Sequence, residues 1–307
     1  MMSYTGFFAL RRIPAVVICG CAFACSCAGQ EEGRPGALLG TMKADRILFL
    51  GNSITLHGVH EPYGWMHLCG MAASVPEKDY VHLLVAGIDA RTGGHLRISP
   101  TDPPKVGPDG ATATGCANVL NIADILERQY ATYTNVRLQR QLDASPDIVV
   151  LQFGENMARE AFDPEAFRSA LRMLVAGLNN SSDPHIFVTS QILGSGGVID
   201  EIKRQVCAED PSHRVYVDLS AFGQDPTNFA SSEPYYSGAI VGHPGDKGMA
   251  VIADALLTAV VGAADSLSRS SPAVMASERL GKGVWAGIGH RDVATKTFFV
   301  RGLYLRS

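Results

Sequence analysis

Ser53, Asn156 and His243 bring a hydroxyl, an amide and an imidazole from far-apart stretches of the chain. Ser53 lies in "ILFLGNSITLHG", just past the apolar run 47–50. A serine in that setting has two readings. It caps a following helix, a role Ser favours, or it is a nucleophile held at the carboxyl edge of a parallel sheet. A serine hydroxyl is weak at its free pKa and needs an adjacent base, which His243 of "HPGDKGM" can supply. Attack on an acyl carbon creates an oxyanion that needs fixed donors, each worth roughly 3–4 kcal/mol. Asn156 of "GENM" can donate through its amide, where an aspartate could not.

Such residues converge only if the fold carries them to one edge. Five runs read as strands: 46–51, 117–122, 147–153, 185–190 and 214–219. They are nearly continuous in apolar residues, as strands covered on both faces are. Helical patterns lie between them at 64–91, broken at Pro76, and at 123–143, 163–179 and 245–262. Asp163 as N-cap, with Pro164 and Glu165 behind it, opens the third of these. Repeated strand–helix alternation predicts a doubly wound parallel sheet of about five strands in three layers. Active residues of such sheets collect at the carboxyl ends of the strands. There the chain presents Asn52, Ser53 and Thr55, then Asn121, Ala123 and Asp124, then Gly154, Glu155 and Asn156. His243 follows the fifth strand, directly before a helix. The Pro- and Gly-rich stretch 97–115 reads as a surface insertion.

"GNSIT", "GENM" and "HPGDKGM" followed by "IADAL" resemble three blocks of the SGNH (GDSL-type) hydrolase superfamily, in order, over residues 44–262. The resemblance implies a three-layer α/β/α, flavodoxin-like fold, with Ser53 as nucleophile and His243 as general base. It implies an oxyanion hole made by the Ser53 N–H, the N–H of Ala123 and the side chain of Asn156, with Gly154 beside it. Asn52 stands where the family usually has Asp, Ala123 where it has Gly, and Met157 where the third block often has Asp. Ile240 occupies the position of the acid that normally orients the histidine, so either a backbone carbonyl takes over the Nδ1 contact or a displaced carboxylate does, with Glu233 and Asp246 as the candidates. Asp246 also suits the first turn of a helix by charge alone. His57, His60 and Trp65 follow the nucleophile turn and are read as loop residues able to line a pocket. The implied activity is that of an exported serine esterase working through an acyl-enzyme, without metal or cofactor. Removal of acetyl groups from carbohydrates is a common role in such families. The missing acid at Ile240 motivates a second reading, a catalytically weakened glycan-binding protein, and a third is a lipase or thioesterase acting on longer acyl chains. The partner expected is an acylated small molecule or glycan. "HGVH" is not a convincing zinc site, and "GDKG" lacks the context of a phosphate loop.

Composition narrows the rest. The 307 residues are 46% hydrophobic and 18% charged, with formal net charge −4 and no basic run, which argues against nucleic acid as a partner. The body of the chain has no apolar stretch of about 20 residues. Arg11 and Arg12 precede "IPAVVICGCAFACSCAG", which reads as a secretory signal over 1–27. "ICGC" resembles a lipobox, making Cys21, or else Cys27, an expected lipid anchor at the periplasmic or cell surface. Residues 28–43 are then a tether, 44–262 the hydrolase domain, and 263–307 an extension with a linker and a small hairpin. Cys69, Cys116 and Cys207 match no metal spacing and are expected as ordinary buried cysteines.

Overall fold

The apolar runs do form central strands. The computed structural model describes residues 36–100, 105–106, 111–112, 114–194, 197–232, 238, 240–270, 289–291 and 298–300. The expected signal at 1–27 and Glu233 lie outside them. Six strands form one sheet: β1 (Arg46–Gly51), β2 (Arg97–Ser99), β3 (Cys116–Asn121), β4 (Ile148–Gln152), β5 (His185–Thr189) and β6 (Arg214–Val217). Every neighbouring pair is parallel, in the order β6-β5-β4-β1-β3-β2.

Side chains of a strand alternate between faces, and here each face has its own apolar layer. Ile47 and Phe49 join one core with Tyr80, Leu84 and Ile88 of α1 (Tyr80–Thr92) and with Ile252 and Leu256 of the long C-terminal helix. Leu48 and Leu50 join the other, with Phe167 and Leu171 of α3 (Pro164–Ser182) and Ile202 and Val206 of α4 (Val198–Ala208). The result is the expected three-layer α/β/α arrangement. Asp163 caps α3 as its sequence suggests, accepting from the N–H groups of Glu165 and Ala166, both at 3.0 Å.

Five expectations need correction. The sixth strand, β2, lies inside the stretch read as an insertion. It is three residues long, half-exposed and without an apolar run, so it carries no strand signal. Residues 64–75 are not helical; α1 starts at Tyr80, capped by Asp79, which accepts from the His82 N–H at 2.7 Å. The pattern 123–143 breaks into a π-helical turn (Ala123–Glu127), two 3-10 turns (Tyr130–Thr132 and Asn135–Leu138) and the short α2 (Gln139–Asp143). Its centre, "TYTNV", consists of β-branched, aromatic and Asn residues that lower helix propensity. Finally, α5 (Asp246–Ser270) runs past the expected end at 262. Against the expectation that the body of the chain has no such apolar stretch, it is the one described helix long and apolar enough to cross a membrane. Its Met249, Ile252, Leu256 and Val260 are buried in the core, while only 28% of its apolar stretch is buried.

At the edges, Leu39 and Met42 of a small hairpin (Leu38–Leu39 with Met42–Lys43) are buried, so the packed structure begins before residue 44. Gly289–Arg291 and Phe298–Val300 pair antiparallel. Cys69, Cys116 and Cys207 are buried thiols.

Candidate active site

Register places three strand ends side by side. Gly51 at the end of β1 pairs with Asn121 of β3 on one side and Gln152 of β4 on the other. The chain leaves β1 toward β3 and β2, then crosses back to β4, so β1 and β4 flank the topological switch point where open α/β sheets bind ligands.

Ser53 sits in the turn after β1. The turn is built by Asn52, whose Oδ1 accepts from the Ile54 N–H at 3.0 Å and whose carbonyl accepts from Thr55 and Leu56, each at 3.0 Å. This is an Asx turn. No helix follows, so the N-cap reading of Ser53 is set aside. Gly51 is required there by close approach: a Cβ would lie 1.8 Å from Thr55 Oγ1 and 2.7 Å from the Gln152 carbonyl oxygen. Among the described residues, none accepts the backbone N–H of Ser53.

His243 arrives 190 residues later, and its Nε2 lies 3.0 Å from Ser53 Oγ. The loop between β6 and α5 holds it by backbone bonds. Its N–H donates to Ile240 at 2.8 Å, and its carbonyl accepts from Ala230 at 2.9 Å. Nδ1 is buried without a hydrogen bond of good geometry among the described residues, and the Ile240 carbonyl lies close enough to the ring to favour its charged form. Burial holds the imidazole pKa below its ordinary value of 6.5; the Ile240 carbonyl opposes this, and the nearby His57 adds to it. His57 therefore lies within electrostatic reach of His243. Asp246 does not orient the ring: its carboxylate accepts from the Ser74 N–H and Oγ, both at 2.7 Å, and from Lys78 Nζ at 2.6 Å. Ile240, at the position of the usual acid, is fully buried.

The predicted oxyanion donors divide. The Ala123 N–H donates to Asn121 Oδ1 at 3.0 Å, and the Gly154 N–H donates to Glu127. Ala123 is thereby removed from the expected donor set, and the N–H of Gly154, expected beside the hole, is engaged as well. Gly154 instead shapes the turn after β4 with φ of 126°, and a Cβ there would meet Gln191 Cγ at 2.9 Å. The Asn156 amide gives one hydrogen to Glu127 Oε2 at 2.6 Å and its oxygen accepts from Arg128 Nη2 at 3.3 Å, leaving its second N–H available.

Glu127 and the buried Lys203 and Asp200 behind it escape the sequence reading, which names only Glu155 of this cluster, as a strand-end residue. Glu127 is 1% exposed, on the π-helical turn. Glu155 accepts from Asn52 Nδ2 at 2.6 Å, Gln152 Nε2 at 3.2 Å and the Ile192 N–H at 2.8 Å. Burial raises its pKa above the ordinary carboxylate range, Lys203 opposing and Glu127 adding to the rise. Lys203, fully buried, donates to the carbonyls of Phe153 and Thr189 and lies 3.5 Å from Asp200. These contacts suit an asparagine at position 52. Its Nδ2 donates to Glu127 at 3.1 Å as well as to Glu155. An aspartate would set a third carboxylate against two.

A cavity of about 430 Å³ opens beside Gly242, lined by Ile192, Leu193, Ser220, Gln224 and Phe229. A smaller one, about 170 Å³, includes Thr55, Leu56, Leu68, Cys69 and Val119. Among the described residues no cluster of His, Cys, Asp and Glu has the geometry to hold a metal ion.

No family model and no curated protein matches the chain. Among solved structures it is similar to a two-domain esterase active on acetylated mannans, co-crystallized with mannopentaose. Identity is 15%, the match covers 83% of this chain and 62% of that one, and the TM-score is 0.46. This chain thus spans less than two thirds of that esterase. It is also similar to a carbohydrate esterase family 3 protein from Talaromyces cellulolyticus (14% identity, 72% and 99% covered, TM-score 0.45). A third likeness is to TesA (12% identity, 71% and 99% covered, TM-score 0.43). At TM-scores below 0.5 these are distant likenesses, and the chemistry is read from the site itself.

Proposed function

We propose that the protein is a serine esterase that hydrolyses carboxylic esters through an acyl-enzyme. The observation that carries this reading is the 3.0 Å approach of Ser53 Oγ to His243 Nε2 at the switch-point rim. With Nε2 unprotonated, the imidazole accepts the Ser53 proton as Oγ attacks the ester carbon. The oxyanion then meets the free Ser53 N–H and the second amide hydrogen of Asn156. Collapse expels the alcohol, which takes the proton from His243. Water, activated by the same imidazole, releases the acid and restores the serine.

The substrate we favour is an acetylated carbohydrate. The small cavity next to the Ser53 turn suits a short acyl group, and the larger one, with Ser220, Gln224 and Phe229, suits a polar, ring-shaped alcohol. The lack of a carboxylate on His243 Nδ1 among the described residues favours a second reading, a catalytically weakened glycan-binding protein. Hydrolysis of p-nitrophenyl esters from C2 to C12 separates them. The acetylesterase is expected to fall off steeply beyond C4 and to lose its activity on Ser53→Ala. A profile that rises with chain length points to a lipase or thioesterase, and no Ser53-dependent hydrolysis points to the binding protein. Export and a lipid anchor belong to the same proposal, and a Cys21→Ala/Cys27→Ala double variant released from the membrane fraction would support them.

A further inference from the structure

We propose that Glu127 is a positioning residue that sets the amide of Asn156 toward the oxyanion. The inference rests on the esterase reading of the site, and its basis is a count of donors. Four N–H groups converge on this one carboxylate. Oε1 takes the Gly154 N–H, Asn52 Nδ2 at 3.1 Å and the Asn156 N–H at 3.5 Å, and Oε2 takes Asn156 Nδ2 at 2.6 Å. These donors come from the turn after β1 and the turn after β4, while Glu127 comes from the turn after β3. The carboxylate therefore ties three strand ends together at the rim.

Its neighbour completes the clamp. Arg128 Nη2 donates to Asn156 Oδ1 at 3.3 Å, so a pure acceptor holds one end of the amide and a pure donor the other. The amide cannot rotate by half a turn without setting its NH2 against the guanidinium and its oxygen against the carboxylate. The π-helical turn makes this possible. Its closing bond, from the Arg128 N–H to the Ala123 carbonyl at 3.0 Å, presents consecutive residues 127 and 128 to one partner. Such turns recur at functional sites.

Only a carboxylate fits. In Glu127→Gln, the near-isosteric amide must point an NH2 at Asn156 Nδ2 or at the Gly154 N–H, and either choice sets donor against donor. The oxyanion exists in the transition state and not in bound ester, so the loss falls on kcat and not on KM. Expected for Glu127→Gln is a kcat lower by about 10²-fold per titrated active site, the scale of one lost oxyanion donor, with KM within about twofold. In an Asn156→Ala background the same change is expected to cost less than about threefold, because the group it positions is gone. An unchanged kcat per site, or an equal loss in both backgrounds, overturns the proposal. A second measurement stands apart from turnover. Side-chain amide NMR of the folded wild type is expected to show one Asn156 Nδ2 proton shifted downfield and protected from exchange, and to lose both in Glu127→Gln. Identical signals in the two proteins overturn the positioning role even if no ester is hydrolysed. Absence of Ser53-dependent hydrolysis in the wild type defeats the esterase reading instead.

Discussion

A general base must be neutral to act, and His243 is arranged to be neutral. Burial is the main cause of its lowered pKa, with the charge of His57 acting in the same direction. No carboxylate among the described residues restores it. The sign follows: activity rises with pH as the imidazole loses its proton, and a lowered pKa moves that rise to the acid side. The acid limb of kcat/KM is therefore expected below pH 6.5, and a limb at or above pH 7 would contradict the environment described for the ring. Asp246 makes a matched control. Its partners are Ser74 and Lys78, so Asp246→Asn is expected to lower the melting temperature while leaving that limb in place. Asn52 carries the complementary lesson. Asn52→Asp, which restores the residue usual in the resembling family, is expected to lower both kcat and stability at neutral pH. It exchanges a donor shared by Glu127 and Glu155 for a third negative charge. Denaturation curves at pH 7 and pH 5 check this, with the deficit shrinking at the lower pH as carboxylates take up protons.

The strand-end turns turn these side chains into a site. β1, β3 and β4 end at one level, and Gly51 lets the turn after β1 fold tightly against Thr55 and Gln152. Gly51→Ala is expected to disturb this turn, with stability lower by about 1–3 kcal/mol and activity reduced further, as measured by urea denaturation beside ester turnover. The central strands were legible because their apolar residues feed two cores at once, and α3 because Asp163, Pro164 and Glu165 mark its start. Ser53, Asn156 and His243 were legible from their settings at strand and loop ends. β2 was not, since an edge strand of three polar-leaning residues needs no apolar run. Nor was Glu127. Its inward direction depends on a π-helical turn where periodicity suggests an ordinary helix, and its partners come from two other loops.

At the scale of the molecule, the rim is fastened to the α3–α4 side by buried charge. Lys203 of α4 meets Asp200, the carbonyl of Phe153 at the end of β4, and the field of Glu155. Removing one partner of a buried ionic group leaves the others uncompensated. Lys203→Met is expected to cost about 3–5 kcal/mol in chemical denaturation, a larger loss than truncation at an exposed ion pair would give. The same fold brings Ser53 and His243 within 3.0 Å across 190 residues of chain. A phosphonate ester tests that meeting directly, because an activated serine takes up the phosphonyl group far faster than an unactivated one. Intact-protein and peptide mass spectrometry is expected to show one adduct on Ser53, absent in Ser53→Ala and formed at least about 10²-fold more slowly in His243→Ala. No adduct on Ser53, or one that forms equally fast without His243, would contradict it.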